Sequence, residues 1–242
     1  MDLRRAKRII DELGIALVFP VANKLEPPSL WHALHPGQPM SWNWDDDDAD
    51  DRVVDLWHLR MRLAASHRVA YGKWFKGRAT LFSLPAFHAM LGRVWQTGDP
   101  LADLPREAHE ILAVLRDRSP VSTKQLRVDA GLRGKVHDRS WNVAMKILWS
   151  RLLVVGVGEV EDGAFPSLAV GATELLFEDL WLSRHDVPAA SRKRLDEALA
   201  RSRAFEKEHD HVLGELRRSD RKKLHVAQSE KIPRRIFRYE DL

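Results

Sequence analysis

Arg139, Asn142 and Lys146 are spaced three and four residues apart, so on a helix they share one face. Arg and Asn carry paired groups that match base edges in a major groove, and Lys suits a phosphate. Lys135 and His137 add donors just before them, and Lys124 and Arg127 are further candidates for phosphate contact. A second group lies in Tyr71-Gly72-Lys73-Trp74-Phe75-Lys76-Gly77-Arg78, where aromatic and basic residues interleave. There Lys73, Lys76 and Arg78 are candidates for a second backbone contact. Both groups also have an ordinary reading. A surface helix has a solvated polar face, and alternation marks any half-exposed strand.

Other reactive chemistry finds little footing. Trp31, Trp42, Trp44, Trp57 and Trp74 could stack on unpaired or flipped bases, though burial is the commoner fate of such rings. His209-Asp210-His211 and the run Asp45 to Asp48 lack the spacing of a zinc or calcium site, so both are expected to be solvated and no metal is expected. The chain has no cysteine, which excludes disulfides and thiolate metal sites. It has no phosphate-binding glycine loop, no Gly-Xaa-Ser-Xaa-Gly elbow and no zinc-deaminase signature. No catalytic residue and no cofactor are therefore expected.

The elements that must position the first group lie in residues 104–170. Asp103 can cap a helix with Pro105 in its first turn, and Ser119-Pro120 ends it. Ser122 caps a short helix over 123–130, stopped by Gly131. A third helix spans about 138–151, followed by strands at 152–158 and 164–170 around Asp162-Gly163. Helix, short helix, longer helix and hairpin make a winged helix, a nucleic-acid-binding module. Its wing tip carries Glu159, Glu161 and Asp162, which minor-groove phosphates would repel. The tip is thus expected to point away from DNA or to meet a protein.

Upstream, the pattern predicts a helix over 2–13 ended by Gly14, a strand at 15–19 and an irregular, apolar segment at 20–44. A helix over 52–66 follows the Asp run, then a hairpin of 69–75 and 78–82 about Lys76-Gly77 and a helix from Ser83 to about Gln96. Downstream, a helix over 173–183 is expected to bury Leu175, Leu176, Leu180 and Trp181, and Pro188 starts another reaching about Lys207. The polar, basic remainder to Leu242 suits a segment that is partly disordered or folds on a partner.

At 242 residues and 44% hydrophobic content, the chain can build more than one packing unit. Net charge is +4 with a pI near 9.4, which favours an acidic partner. Basic clusters stand at Arg4 to Arg8, Arg192 to Arg194, Arg217-Arg218, Arg221 to Lys223 and Arg234-Arg235. No segment suits a signal peptide or a membrane span, so a cytoplasmic, soluble protein is expected.

Several segments together resemble the winged-helix proteins related to bacterial crosslink-repair DNA glycosylases. They include Phe19-Pro20, Pro27-Pro28-Ser29-Leu30-Trp31, Tyr71-Gly72-Lys73-Trp74 and Gly77-Arg78. Further along come Pro120-Val121-Ser122-Thr123-Lys124-Gln125-Leu126-Arg127, Ala130-Gly131-Leu132 and Leu153-Val154-Val155-Gly156. The resemblance covers about residues 14–170. Glycosylases of that group carry tandem winged helices and a catalytic pair of glutamines two positions apart. The four glutamines here, Gln38, Gln96, Gln125 and Gln228, include no such pair. The resemblance implies a relative that keeps a DNA-binding scaffold without this chemistry.

The expected architecture is α+β: a mixed α/β unit over 1–100, a winged helix over 101–170 and a C-terminal helical extension over 171–242. The expected function is non-enzymatic DNA binding, linked to repair or transcription. The alternatives are a base-excision glycosylase with a different water-activating residue, or a protein-interaction module working through the acidic wing tip or the tail.

Overall fold

Local signals set most element ends. In the computed structural model, which describes residues 2–41, 51–162 and 166–230, Asp2 accepts the Arg4 amide to cap α1 (Leu3–Leu13). Gly14 ends that helix at φ 75°, a conformation natural to glycine. β1 (Ile15–Leu17) follows, then α2 (Leu30–Leu34), capped by Ser29, inside the segment expected to be irregular. α3 (Asp51–Ala65), β2 (Val69–Gly72), β3 (Thr80–Ser83) and α4 (Leu84–Thr97) come next, with Ser83 capping α4.

Then come α5 (Arg106–Asp117), β4 (Val121–Ser122), α6 (Thr123–Asp129), a 3-10 turn (Lys135–His137) and α7 (Asp138–Ser150). β5 (Val154–Val160) and β6 (Ser167–Ala172) complete the stretch. Ser122 caps α6 as expected, its Oγ accepting the Gln125 amide at 3.1 Å. Asp103 does not cap α5. Pro105 occupies that position without a side-chain bond, and Asp103 has a left-handed backbone, φ 51°. The Asp-Gly turn falls partly outside the described residues.

The rest is helical: α8 (Thr173–Leu176), α9 (Glu178–Leu182), α10 (Ala189–Ala200) and α11 (Arg203–Glu230). The single helix expected over 173–183 breaks at Phe177, whose ring turns into the core beside Phe87 at 5.4 Å. Leu175 is consequently exposed, and Leu176, Leu180 and Trp181 are only partly buried. The helix from Pro188 also stops early. Buried Ser202 caps α11, which continues through residues expected to be partly disordered or to fold on a partner, with Val212, Leu213 and Leu216 packed on Val94. Residues 231–242 lie outside the described chain.

The helices and sheet make the mixed α+β fold the sequence suggests. All six strands join one antiparallel sheet, in the order β1-β3-β2-β5-β6-β4. Side chains alternate across it. Val69, Tyr71 and Leu81 face α1, α2 and α3, where Ile10, Trp31 and Leu56 are fully buried. Ala70 and Phe82 face the opposite way, toward α4, α10 and Phe205 of α11. A further cluster fills the space between α5, α6, α7 and the β5–β6 pair, centred on Ile111, Leu126, Leu148 and Val170.

β2 and β5 meet through Tyr71 and Gly156. A Cβ on Gly156 would lie 2.4 Å from Tyr71 Cδ1, so only glycine lets the buried ring lie there. Gly156→Val is expected to destabilise the fold by about 1–3 kcal/mol, as overpacking does. A urea midpoint indistinguishable from wild type would show that the ring has room to move. Among the described residues, no helix is long and apolar enough to cross a membrane.

Candidate nucleic-acid interface

α7 is held from below and open above. Trp141, Ala144, Met145 and Leu148 are buried in the cluster it shares with α5 and α6. Arg139, Asn142, Val143 and Lys146 are exposed on the other side. Within the described residues, Arg139, Lys146 and Lys135 form no salt bridge. Val136, 84% exposed, stands among them on the 3-10 turn.

Two of the expected phosphate contacts are engaged within the protein. Arg127 Nη2 donates to Asp138 Oδ1 at 2.6 Å, and its guanidinium lies 5.4 Å from the Trp141 ring. It therefore braces α6 against the start of α7. Lys124 Nζ donates to the Asp162 carbonyl at 2.5 Å. Both residues nevertheless line a recess of about 360 Å³ with Arg133, an exposed residue that the spacing argument overlooked.

The Lys73–Arg78 segment differs from the half-exposed strand its alternation suggests. It is a turn that tucks both rings inward. Trp74 packs edge-on to Phe82 at 5.7 Å, and Phe75 packs edge-on to Phe205 at 5.3 Å. Neither ring is available for base stacking, and Trp31 is equally buried. Trp57 is partly exposed, while Trp42 and Trp44 lie outside the described residues. Lys73, Lys76 and Arg78 do remain at the surface. The Lys73 ammonium is held below the usual lysine value, first by desolvation and then by Arg60.

The fold brings Lys76 and Lys146 to one groove of about 850 Å³, floored by Val143, Ile147 and Val212. Its far wall is α11, which presents Glu208, His211 and Glu215. Glu208 Oε1 accepts the Lys76 amide at 3.4 Å, and His211 Nε2 lies 3.4 Å from Glu215 Oε1. Spacing alone gives no sign of this acidic wall, because α11 reaches α7 only through the tertiary fold. Lys73 and Arg78 do not line the groove.

The acidic hairpin is also rearranged relative to expectation. Glu159 accepts from Arg60 Nη2 at 2.5 Å inside the protein. Asp162 accepts from the Ser122 hydroxyl, and that bond, followed by one from Ser167, holds its carboxyl below the usual range. Only Glu161 of the three acids is exposed, and the other two are half-buried. The repulsion expected at the tip is thus largely answered internally.

His209 also departs from the solvated reading. It is buried, with Nδ1 3.3 Å from Asp210 Oδ1, and burial lowers its pKa. Among the described residues, no three His, Asp or Glu side chains gather into a group able to hold a metal.

A family model described as AlkZ related matches residues 2–213. Neither the curated proteins nor the solved structures include a match.

Proposed function

The chain belongs to the AlkZ-related family, and from that premise we propose that it is a non-enzymatic DNA-binding protein that reads duplex DNA with α7. The observation that carries this reading is the stripe Arg139, Asn142 and Lys146, exposed on a helix whose other face is locked by Trp141, Met145 and Leu148. We read α5, α6 and α7 with the β5–β6 pair as a winged helix over 101–170, placed between the 1–100 unit and a helical extension. Recognition helices contact base edges chiefly near their N-terminal ends. Here Arg139 and Asn142 occupy that end, whereas Glu208 and Glu215 confront Lys146 at the other. Those carboxylates repel phosphates from the far side of the groove and direct DNA toward the start of α7. Lys135, Lys146 and Lys76 are assigned to phosphates, and Lys124 and Arg127 to bracing the module.

The absent glutamine pair favours binding without glycosylase chemistry. The docked hairpin favours readout by the helix alone, since Glu159 and Asp162 are already bonded within the protein.

The test is fluorescence anisotropy of a labelled duplex across a salt series, with wild type beside Arg139→Ala/Lys146→Ala. Wild-type affinity should fall steeply with salt, and loss of the Lys146 contact should reduce the slope by about one. Arg139→Ala should weaken binding by about 1–3 kcal/mol if it holds a base edge. No binding at low salt, or a double variant matching wild type, would refute the reading.

A further inference from the structure

The basic clusters at Arg4 to Arg8 and Arg192 to Arg194 play no part in the α7 interface, yet the fold joins them. Gly14 lies so close to α10 that a Cβ there would be 2.7 Å from Ala198 Cβ. Arg201 Nη1 also donates to the Glu12 carbonyl, fastening the end of α1 to the end of α10. Between these helices lies a recess of about 560 Å³. Lys7 enters it from α1, Arg194 from α10, and His67 and Arg68 from the α3–β2 turn.

Its charge is unbalanced. Asp11 is the one acid lining the recess and already pairs with Lys7. Arg194 has Glu197 at 3.3 Å, outside the recess. Arg68 is exposed and forms no ion pair among the described residues. Arg4 is also exposed and shares the Lys7 face by helical spacing. The adjacent start of α4 contributes little, because Pro85 has no N–H and Ser83 Oγ already accepts the Ala86 amide. The side chains, not the helix end, set the potential.

We propose that this recess binds a phosphate group. Its cations approach from three elements, which suits a tetrahedral anion with oxygens on several sides better than a planar carboxylate. Arg68 and Arg194 supply guanidinium forks, the side-chain shape matched to phosphate oxygens. His67 is held at φ 52° with its ring 5.8 Å from Phe177, which fixes the turn that carries Arg68. The phosphate could belong to a nucleic-acid backbone or to a phosphorylated small molecule, and the recess does not depend on α7.

Two titrations test the proposal on the full chain, comparing wild type with Arg68→Glu and Arg194→Gln at matched melting temperatures. In the first, pyrophosphate is titrated by calorimetry at low salt, and each substitution should weaken binding about tenfold, the loss of one charge-assisted hydrogen bond. In the second, a labelled duplex is titrated across a salt series. A salt slope smaller by about one in Arg68→Glu identifies a DNA phosphate as the ligand. Weakened pyrophosphate binding with an unchanged duplex slope identifies a phosphorylated small molecule. Pyrophosphate binding that is absent, or indifferent to both substitutions, together with an unchanged duplex slope, overturns the proposal. Arg139→Ala/Lys146→Ala, run in parallel, reports on α7 alone, so either site can fail without the other.

Discussion

Replacing Glu159 with Ala is expected to cost about 3–5 kcal/mol of folding stability, the usual penalty for orphaning a buried charge. Its partner Arg60 is 7% exposed at the side chain, enclosed by the Trp57 ring at 3.9 Å and the Tyr71 hydroxyl at 3.2 Å. Tyr71 cannot replace the lost carboxylate. Burial raises its pKa, so the phenol stays neutral. Nearby Lys73 adds a like charge, as its coulombic coupling to Arg60 shows. Among the described residues the Arg60 Nε has no hydrogen-bond partner. Urea unfolding should show the loss as a lower midpoint. Arg60→Met/Glu159→Leu should recover much of it, because removing both charges removes the desolvation penalty as well. If the single substitution lost less than about 1 kcal/mol, the pair would be behaving as a solvated surface bridge.

Trp74→Ala should cost a similar amount, about 3–5 kcal/mol, by opening a cavity in a packed aromatic cluster. Trp74 is 2% exposed, with Phe82 at 5.7 Å and Phe205 at 6.0 Å. Phe205 belongs to the first turn of α11, so the cavity also loosens the seat of that helix. Hydrogen exchange should therefore quicken in α11 as well as in the β2–β3 turn. Leu25→Ala, at a site 76% exposed, is the control and should shift stability by less than about 0.5 kcal/mol. Unchanged stability with weaker single-strand binding would instead make Trp74 a stacking platform and contradict its packing.

Elements governed by neighbouring residues were legible from sequence. Ser122 and Gly131 mark the ends of α6, Ser83 and Gly14 mark helix ends, and the apolar period of α7 separates Trp141 and Leu148 from Arg139 and Lys146. Features decided by distant residues were not. Periodicity carries a helix through Phe177, but burial of that ring beside Phe87 breaks it. Interleaved Lys73, Trp74, Phe75 and Lys76 look like a strand because their local pattern is silent about Phe205, which draws both rings inside. The same holds for the candidate site. The exposed stripe on α7 is a local property, whereas the engagement of Arg127 by Asp138 and the carboxylate wall of α11 depend on the assembled fold.

The order of the sheet also bears on strand-to-strand association between copies of the chain. Its longest strands, β5 and β6, have seven and six residues, lie inside and pair with each other along their length, with β2 joining β5 at Gly156 and β4 joining β6 at Ala169 and Val170. The outer positions fall to β1 and β4, with three and two residues. An unpaired strand edge is a template on which another chain can add, and a template this short offers too few backbone bonds to hold one. β1 is further covered where Leu17 bridges to Ser29. The short terminal strands thus limit the backbone edge on which another chain could add.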